Sequence, residues 1–206
     1  MSSATAPAPI TSSETGAAPA RLLDDTLVAR ARAGDRAAFS ELANRHETQL
    51  RRVVFRITHD CDTAYDVVQD ALMLAWTNIG RFEGRSRFST WLIRIGINEA
   101  YRSLKRRRFE LPTAPDDLVG ETAAAASSGP AELAESHDFL AAVERELAQL
   151  PLDYRTAVVL RDVEGLTTEE AAEILGIGQR ALKSRLHRGR IALRRNLDAY
   201  MVSDGA

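Results

Sequence analysis

The chain has 206 residues, 45% of them apolar, and 27 Lys and Arg against 29 Asp and Glu for a net charge of -2. That length fits one domain or two small ones, and the apolar share supplies an ordinary core. A single cysteine, Cys61, excludes an internal disulfide; no apolar run approaches the ~18 residues of a membrane span, and no basic and apolar leader opens the chain. A reducing, cytoplasmic setting is expected.

Residues 1–20 are Ala, Pro, Ser and Thr with few large apolar side chains, so a disordered tail is expected. Helical spacing begins near Asp24 with Leu23, Leu27, Val28 and Ala31, and stops at Gly34. Asp35 can cap a second helix whose apolar side runs through Phe39, Leu42, Leu50, Val53, Val54 and Ile57. His59-Asp60-Cys61-Asp62 then marks a break, with Asp62 expected to cap the third helix. The cluster has ligand chemistry, but no second pair at zinc spacing accompanies it, so it reads as a turn and no metal is expected. The third helix, Thr63 to about Ile79, carries Val67, Val68, Ala71, Leu72, Leu74, Ala75 and Trp76.

Gly80 to Arg87 is a loop rich in glycine and arginine. The fourth helix, about Ser89 to Arg108, is apolar early and ends in Lys105-Arg106-Arg107-Arg108. Cations suit the negative end of a helix dipole, but this run exceeds what the dipole needs. Residues 110–134 turn acidic and rich in Pro, Gly and Ala, as a flexible linker between two lobes free to change their relative placement. Helical spacing returns from Glu135 through Leu150, and Pro151 separates it from a helix over Asp153–Val163.

Thr167 to Arg195 reads as two helices around a tight turn. Thr167 and Glu170 form a capping box, and Gly176-Ile177-Gly178 breaks the first helix. The second has Leu182, Leu186, Ile191 and Leu193 on one side, cations between them, and no carboxylate from Gln179 to Arg195. That is the make-up of a helix-turn-helix whose second helix enters a major groove, with Gln179, Arg180, Lys183, Ser184, Arg185 and Arg188 as the candidate DNA contacts. The near-zero net charge therefore hides basic helices offset by acids elsewhere. No strand alternation is convincing, and the fold class expected is all-α, two small helical domains joined by an acidic linker.

The ordered set of motifs resembles the sigma-70 family of bacterial RNA polymerase sigma factors, in the extracytoplasmic-function (ECF) group, which keeps only the second and fourth conserved regions. Ala64-Tyr65-Asp66-Val67-Val68-Gln69-Asp70-Ala71 to Trp76 is similar to the polymerase-binding helix of region 2. Phe88-Ser89-Thr90-Trp91-Leu92 with Ile95, Asn98 and the basic run resembles the segment that melts and reads the -10 element. Leu150-Pro151, Arg155, Leu160-Arg161, Glu164-Gly165-Leu166 and Ala171 to Gly176 resemble region 4, and Leu182 to Leu186 its -35-reading helix. Two departures stand out. Gly178, Gln179 and Arg180 occupy a turn where the family usually has a proline and a small residue, and Arg102 replaces an acid.

The resemblance implies a tail over 1–20, region 2 over 21–109, a linker over 110–134 and region 4 over 135–206. It implies core polymerase binding by Asp66, Gln69, Asp70, Leu74 and Trp76. For the -10 element it implies Arg81, Arg85, Arg87, Phe88, Trp91, Arg94, Asn98, Arg102, Lys105 and Arg106: the asparagine reads a base edge and the cations grip phosphates. Core polymerase, promoter DNA and an anti-sigma factor are the implied partners, and the linker would either enter the polymerase cleft or serve as a spacer. No nucleotide loop or nucleophile–base set is present, so neither catalysis nor a cofactor is expected. The alternative is a dimeric helix-turn-helix regulator that acts without core polymerase. A nucleic-acid-modifying enzyme is disfavoured by the empty catalytic inventory.

Overall fold

The computed structural model describes residues 17–110 and 131–203. Every element among the described residues is helical: α1 (Ala17–Arg32), α2 (Arg36–Thr58), α3 (Cys61–Asn78), a 3-10 turn (Ile79–Arg81), α4 (Phe88–Glu110), α5 (Ala131–Gln149), α6 (Leu152–Val158) running into a π turn (Val159–Val163), α7 (Thr168–Leu175) and α8 (Gln179–Ser203). Most of the expected tail and linker lies outside the described residues. Their edges are helical: α1 begins at Ala17, where alanines and an early proline favour a helix start, and α5 begins at Ala131.

The first lobe packs α1 to α4 around Leu42, Leu50, Val53, Val54, Ile57, Leu92, Ile93 and Ile97, all buried. Each such side chain contributes roughly 1.5–3 kcal/mol of burial. Helices α2 and α4 approach so closely at Gly96 that a Cβ there would lie 2.5 Å from Leu50 Cδ1. Asp35 caps α2 as expected, accepting from the amides of Ala37 and Ala38.

The next junction differs from the sequence reading. His59 takes a left-handed φ of 50° and closes α2, and Asp60, not Asp62, caps α3. Asp60 holds the extended backbone a cap requires and accepts from the Asp62 and Thr63 amides at 3.0 and 3.2 Å, while Asp62 already sits in the first turn. The other Asp60 oxygen takes the Arg107 guanidinium of α4, which holds the carboxyl below its ordinary pKa.

The second lobe is built on Leu147, Leu150, Val158, Leu160, Ile174, Leu182 and Leu186. The Thr167–Glu170 capping box forms, and Gly176 ends α7 at φ 62°. A Cβ at Gly189 would meet Val158 Cγ2 at 2.8 Å and Tyr154 at 3.3 Å, so glycine is what seats α8 against α6.

The lobes are not loose: they pack on each other, α7 against α4 and the π turn against α2. The Glu164 side chain, 3% exposed, lies 3.4 Å from both Arg52 and Arg56 of α2, and Gln49 also donates to it. Arg155 donates to the Ile57 carbonyl at 2.7 Å as well as to the Leu150 carbonyl of its own lobe. Tyr101 of α4 donates to Thr156 at 3.0 Å, and Arg56 pairs with Glu144 at 2.9 Å.

Candidate nucleic-acid interface

Helix α4 presents two different stripes. Trp91, Ile95, Asn98 and Arg102, at successive steps of three or four, face a cleft of about 370 Å³ closed on the other side by Leu74, Asn78 and Arg81. Glu99, Ser103 and Arg106, one step round, face a second groove of about 620 Å³ whose opposite wall is Asp66, Gln69 and Asp70 of α3. The 3-10 turn after α3 brings Arg81 to the first cleft, in the company of residues ten and more positions away.

The first cleft has the inventory for an unstacked base. Trp91, tilted at 45° to Phe82 and half-buried, supplies an aromatic wall, and the exposed Asn98 amide is uncommitted among the described residues. Glu99 pairs with Arg102 at 2.5 Å. Arg81, Arg94 and Lys105 are exposed and make no ion pair among the described residues, leaving their charge for phosphates.

Several expected site residues sit elsewhere. Phe88 is 3% exposed and packs on Phe39, Phe82 and Trp91, so it supports the cleft from behind and touches no solvent-borne ligand. Leu74, assigned to the polymerase surface, lines the cleft beside α4, one helical turn beyond Asp70. Arg106, assigned to -10 DNA, lines the acidic groove. Trp76 is only partly exposed and packs on Phe39 with ring centroids 5.2 Å apart, an inward-facing placement. Arg85 pairs with Glu83, and Arg87 lies 3.8 Å from Glu170 of the second lobe. Asn78 and Glu99, which the sequence reading did not single out, belong to the cleft; the three-residue step from Glu99 to Arg102 was the available signal.

Asp66, Gln69 and Asp70 are exposed, as are Tyr65 and Met73, two large apolar side chains on the same helix at 62% and 61%. An apolar pair among acids on one helix is the surface chemistry of a docking site.

On α8 the expected contacts divide. Gln179, Arg180, Lys183 and Ser184 are exposed, and the two cations make no ion pair among the described residues. Arg185 is held by Asp153 at 3.0 Å, Arg188 by the Tyr154 hydroxyl at 3.3 Å, and Arg190 by Asp162. These pairs keep Arg188 and Arg190 protonated even above their ordinary range. The first turns of α8 thus carry free donors, and Arg185, Arg188 and Arg190 fix the helix to its own lobe.

Comparison with known proteins agrees with both halves. The family model for sigma-70 region 2 matches residues 42–110, and that for sigma-70 region 4 matches residues 140–193. The chain is 34% identical over 184 residues to the RNA polymerase sigma-H factor of Pseudomonas aeruginosa, covering 86% of this chain and 95% of that one. It is also 34% identical over 179 residues to the ECF RNA polymerase sigma-E factor of Escherichia coli, covering 84% and 93%. Among solved structures, the sigma factor RpoE of Bartonella quintana, in complex with the anti-sigma factor NepR, aligns with a TM-score of 0.63 at 28% identity, covering 78% of this chain and 96% of that chain.

Proposed function

The chain belongs to the sigma-70 family, in its extracytoplasmic-function group, and directs promoter-specific transcription; from that premise we propose how its surfaces divide the work. Helix α3 docks on core polymerase through Asp66, Gln69 and Asp70. The cleft between α3, the 3-10 turn and α4 holds a base extracted from the -10 element, with Trp91 stacking and Asn98 hydrogen-bonding its edge. Arg81, Arg94, Arg102 and Lys105 grip the displaced backbone. The start of α8 reads the -35 element through Gln179, Arg180, Lys183 and Ser184, and Arg185 and Arg188 orient that helix. Bond formation belongs to the core enzyme, and this chain supplies specificity.

One observation carries the reading: an aromatic wall, a free amide and the unpaired Arg81 converge from two separate elements on a space of about 370 Å³, enough for one base. A double-strand reader that works through α8 alone has no use for such a cleft, which leaves the dimeric-regulator reading without support. We further infer a cytoplasmic location, where polymerase works; no described helix is long and apolar enough to cross a membrane. An anti-sigma factor is a fitting partner, since the RpoE relative was solved with one.

In vitro transcription with core polymerase on genomic promoter fragments tests this, with permanganate mapping of unpaired thymines. New start sites with an unpaired -10 region are expected, and Asn98→Ala should abolish the unpairing while core binding persists. Failure to bind core, or initiation indifferent to Asn98 and Arg81, would defeat the assignment.

A further inference from the structure

A base stacked on Trp91 is held whatever its identity, because every base has a π-face. Choice among bases falls to the polar atoms around the cleft of about 370 Å³. Arg81 and Arg102 bring only donors to it, and the Asn98 amide offers one group of each kind. Glu99 of α4 and Asn78 of α3 add acceptors from opposite walls. We propose that Glu99, with Asn78 across the cleft, sets the class of base admitted: one with an exocyclic amine (adenine, cytosine or guanine), to the exclusion of thymine. This deepens the base-capture function proposed above and rests on it.

Glu99 is the residue that asks for an explanation. A carboxylate beside a polyanionic strand repels it, so it weakens binding unless it receives a hydrogen bond there. Its side chain is 14% exposed, and its one ion pair among the described residues joins Oε1 to Arg102 at 2.5 Å. Holding Arg102 does not account for it, because that arginine is 71% exposed and a pair so open to water adds little. The second oxygen, Oε2, has no partner among the described residues. An acceptor mostly withdrawn from water and left unpaired is satisfied by a donor that enters the cleft.

Asn78 is fixed as an acceptor by its own helix. Its Nδ2 donates to the Leu74 carbonyl at 2.8 Å. A carbonyl only accepts, so that bond sets which way the amide lies and leaves Oδ1 as the group it offers a ligand. An exocyclic amine carries two N–H groups on one nitrogen and can serve an acceptor on each wall; a carboxylate accepting from cytosine N4 is a recurring pair. Thymine has no amine and presents the oxygen O4 in its place. Oxygen set against a carboxylate leaves both unpaired, and the selection therefore works by exclusion.

The test uses the full chain with core polymerase on promoters already unpaired across the -10 element, so that duplex stability does not enter. Each nontemplate -10 position is changed in turn to all four bases. The preferred base is then replaced by its carbonyl counterpart: uracil for cytosine, hypoxanthine for adenine, xanthine for guanine. At one position, thymine and the carbonyl counterpart should each lower complex formation about 10-fold. Glu99→Gln keeps the shape and adds an N–H that can meet a carbonyl, and should bring both penalties within about twofold. Arg102→Ala should instead weaken all promoters alike and lower the salt slope by ~1, with the amine preference intact.

Penalties that persist in Glu99→Gln, or thymine accepted at every position by the wild type, would overturn the proposal. So would a change in core affinity without base dependence, which would assign Glu99 to the α3 groove that it also borders. Unpairing that survives Asn98→Ala would bring down the base-capture reading itself. Unpairing that needs Asn98 while thymine is tolerated would remove only the amine rule.

Discussion

The two proposed nucleic-acid faces differ in how they hold their cations. At the α4 cleft, Arg81 stands free beside an aromatic wall and Arg102 is paired with its helix neighbour Glu99, while Arg94 and Lys105 are exposed on the same helix with no ion pair among the described residues. On α8, Arg185, Arg188 and Arg190 are committed to Asp153, Tyr154 and Asp162, while Arg180 and Lys183 in the opening turns make no ion pair among the described residues. A surface for a flexible single strand can keep its cations mobile. A helix that must present side chains to a rigid groove needs its bearing fixed, and internal ion pairs supply that.

The largest effect that would test the contrast comes from the cleft. Asn98→Ala should lower open-complex formation about 10- to 100-fold, the worth of one directional base contact of ~1–3 kcal/mol, with closed-complex binding little changed. An equal loss in both would erase the distinction between melting and docking. Next is the seat of α8: Gly189→Ala forces a Cβ to 2.8 Å from Val158 and should cost ~1–3 kcal/mol, read as a lower Tm. It should weaken -35 binding more than unpairing at -10. A smaller effect separates free from committed cations. Lys183→Ala should lower the salt slope of -35 binding by ~1, whereas Arg185→Ala should shift affinity with less change in slope. Equal slopes would mean that Arg185 leaves Asp153 for a phosphate.

The smallest expected effect is a pH dependence at the lobe junction. Burial, then the charges of Arg155 and Arg56, push His59 down to about 4 from an ordinary 6.5. The unfolded chain then binds a proton that the folded chain does not, so stability is whole above pH 6.5 and declines as pH falls towards 4. Solvent screening holds the loss to ~1 kcal/mol. His59→Asn, which tolerates the left-handed φ, should flatten this part of the thermal stability profile.

The parts legible in the sequence were those with local causes. Thr167 and Glu170, Gly176 and the Asp35 cap are short-range motifs, and each forms as spaced. Asp60 and Asp62 were exchanged because both are good caps and only the backbone angle at the junction separates them. The cleft was half visible: Arg81, Trp91, Asn98 and Arg102 could be chosen by type, but the turn that faces Arg81 to α4 leaves no periodic trace. That Leu74 lines this cleft was hidden for the same reason. The lobe contact was not visible at all, because it is made of scattered charges such as Glu164 and Arg155, and hydrophobic periodicity registers only apolar stripes.

Asp60 has a consequence beyond its caps. One oxygen holds the first amides of α3 and the other the Arg107 guanidinium near the end of α4. The two helices are thereby pinned at a shared pivot, as the tines of a fork are at its handle. A displacement of α3 on docking is passed to α4 through this direct tie as well as through the loop that joins them. Fidelity of start-site placement then becomes a matter of stiffness: softening that pivot should blur where transcription begins before it changes how often.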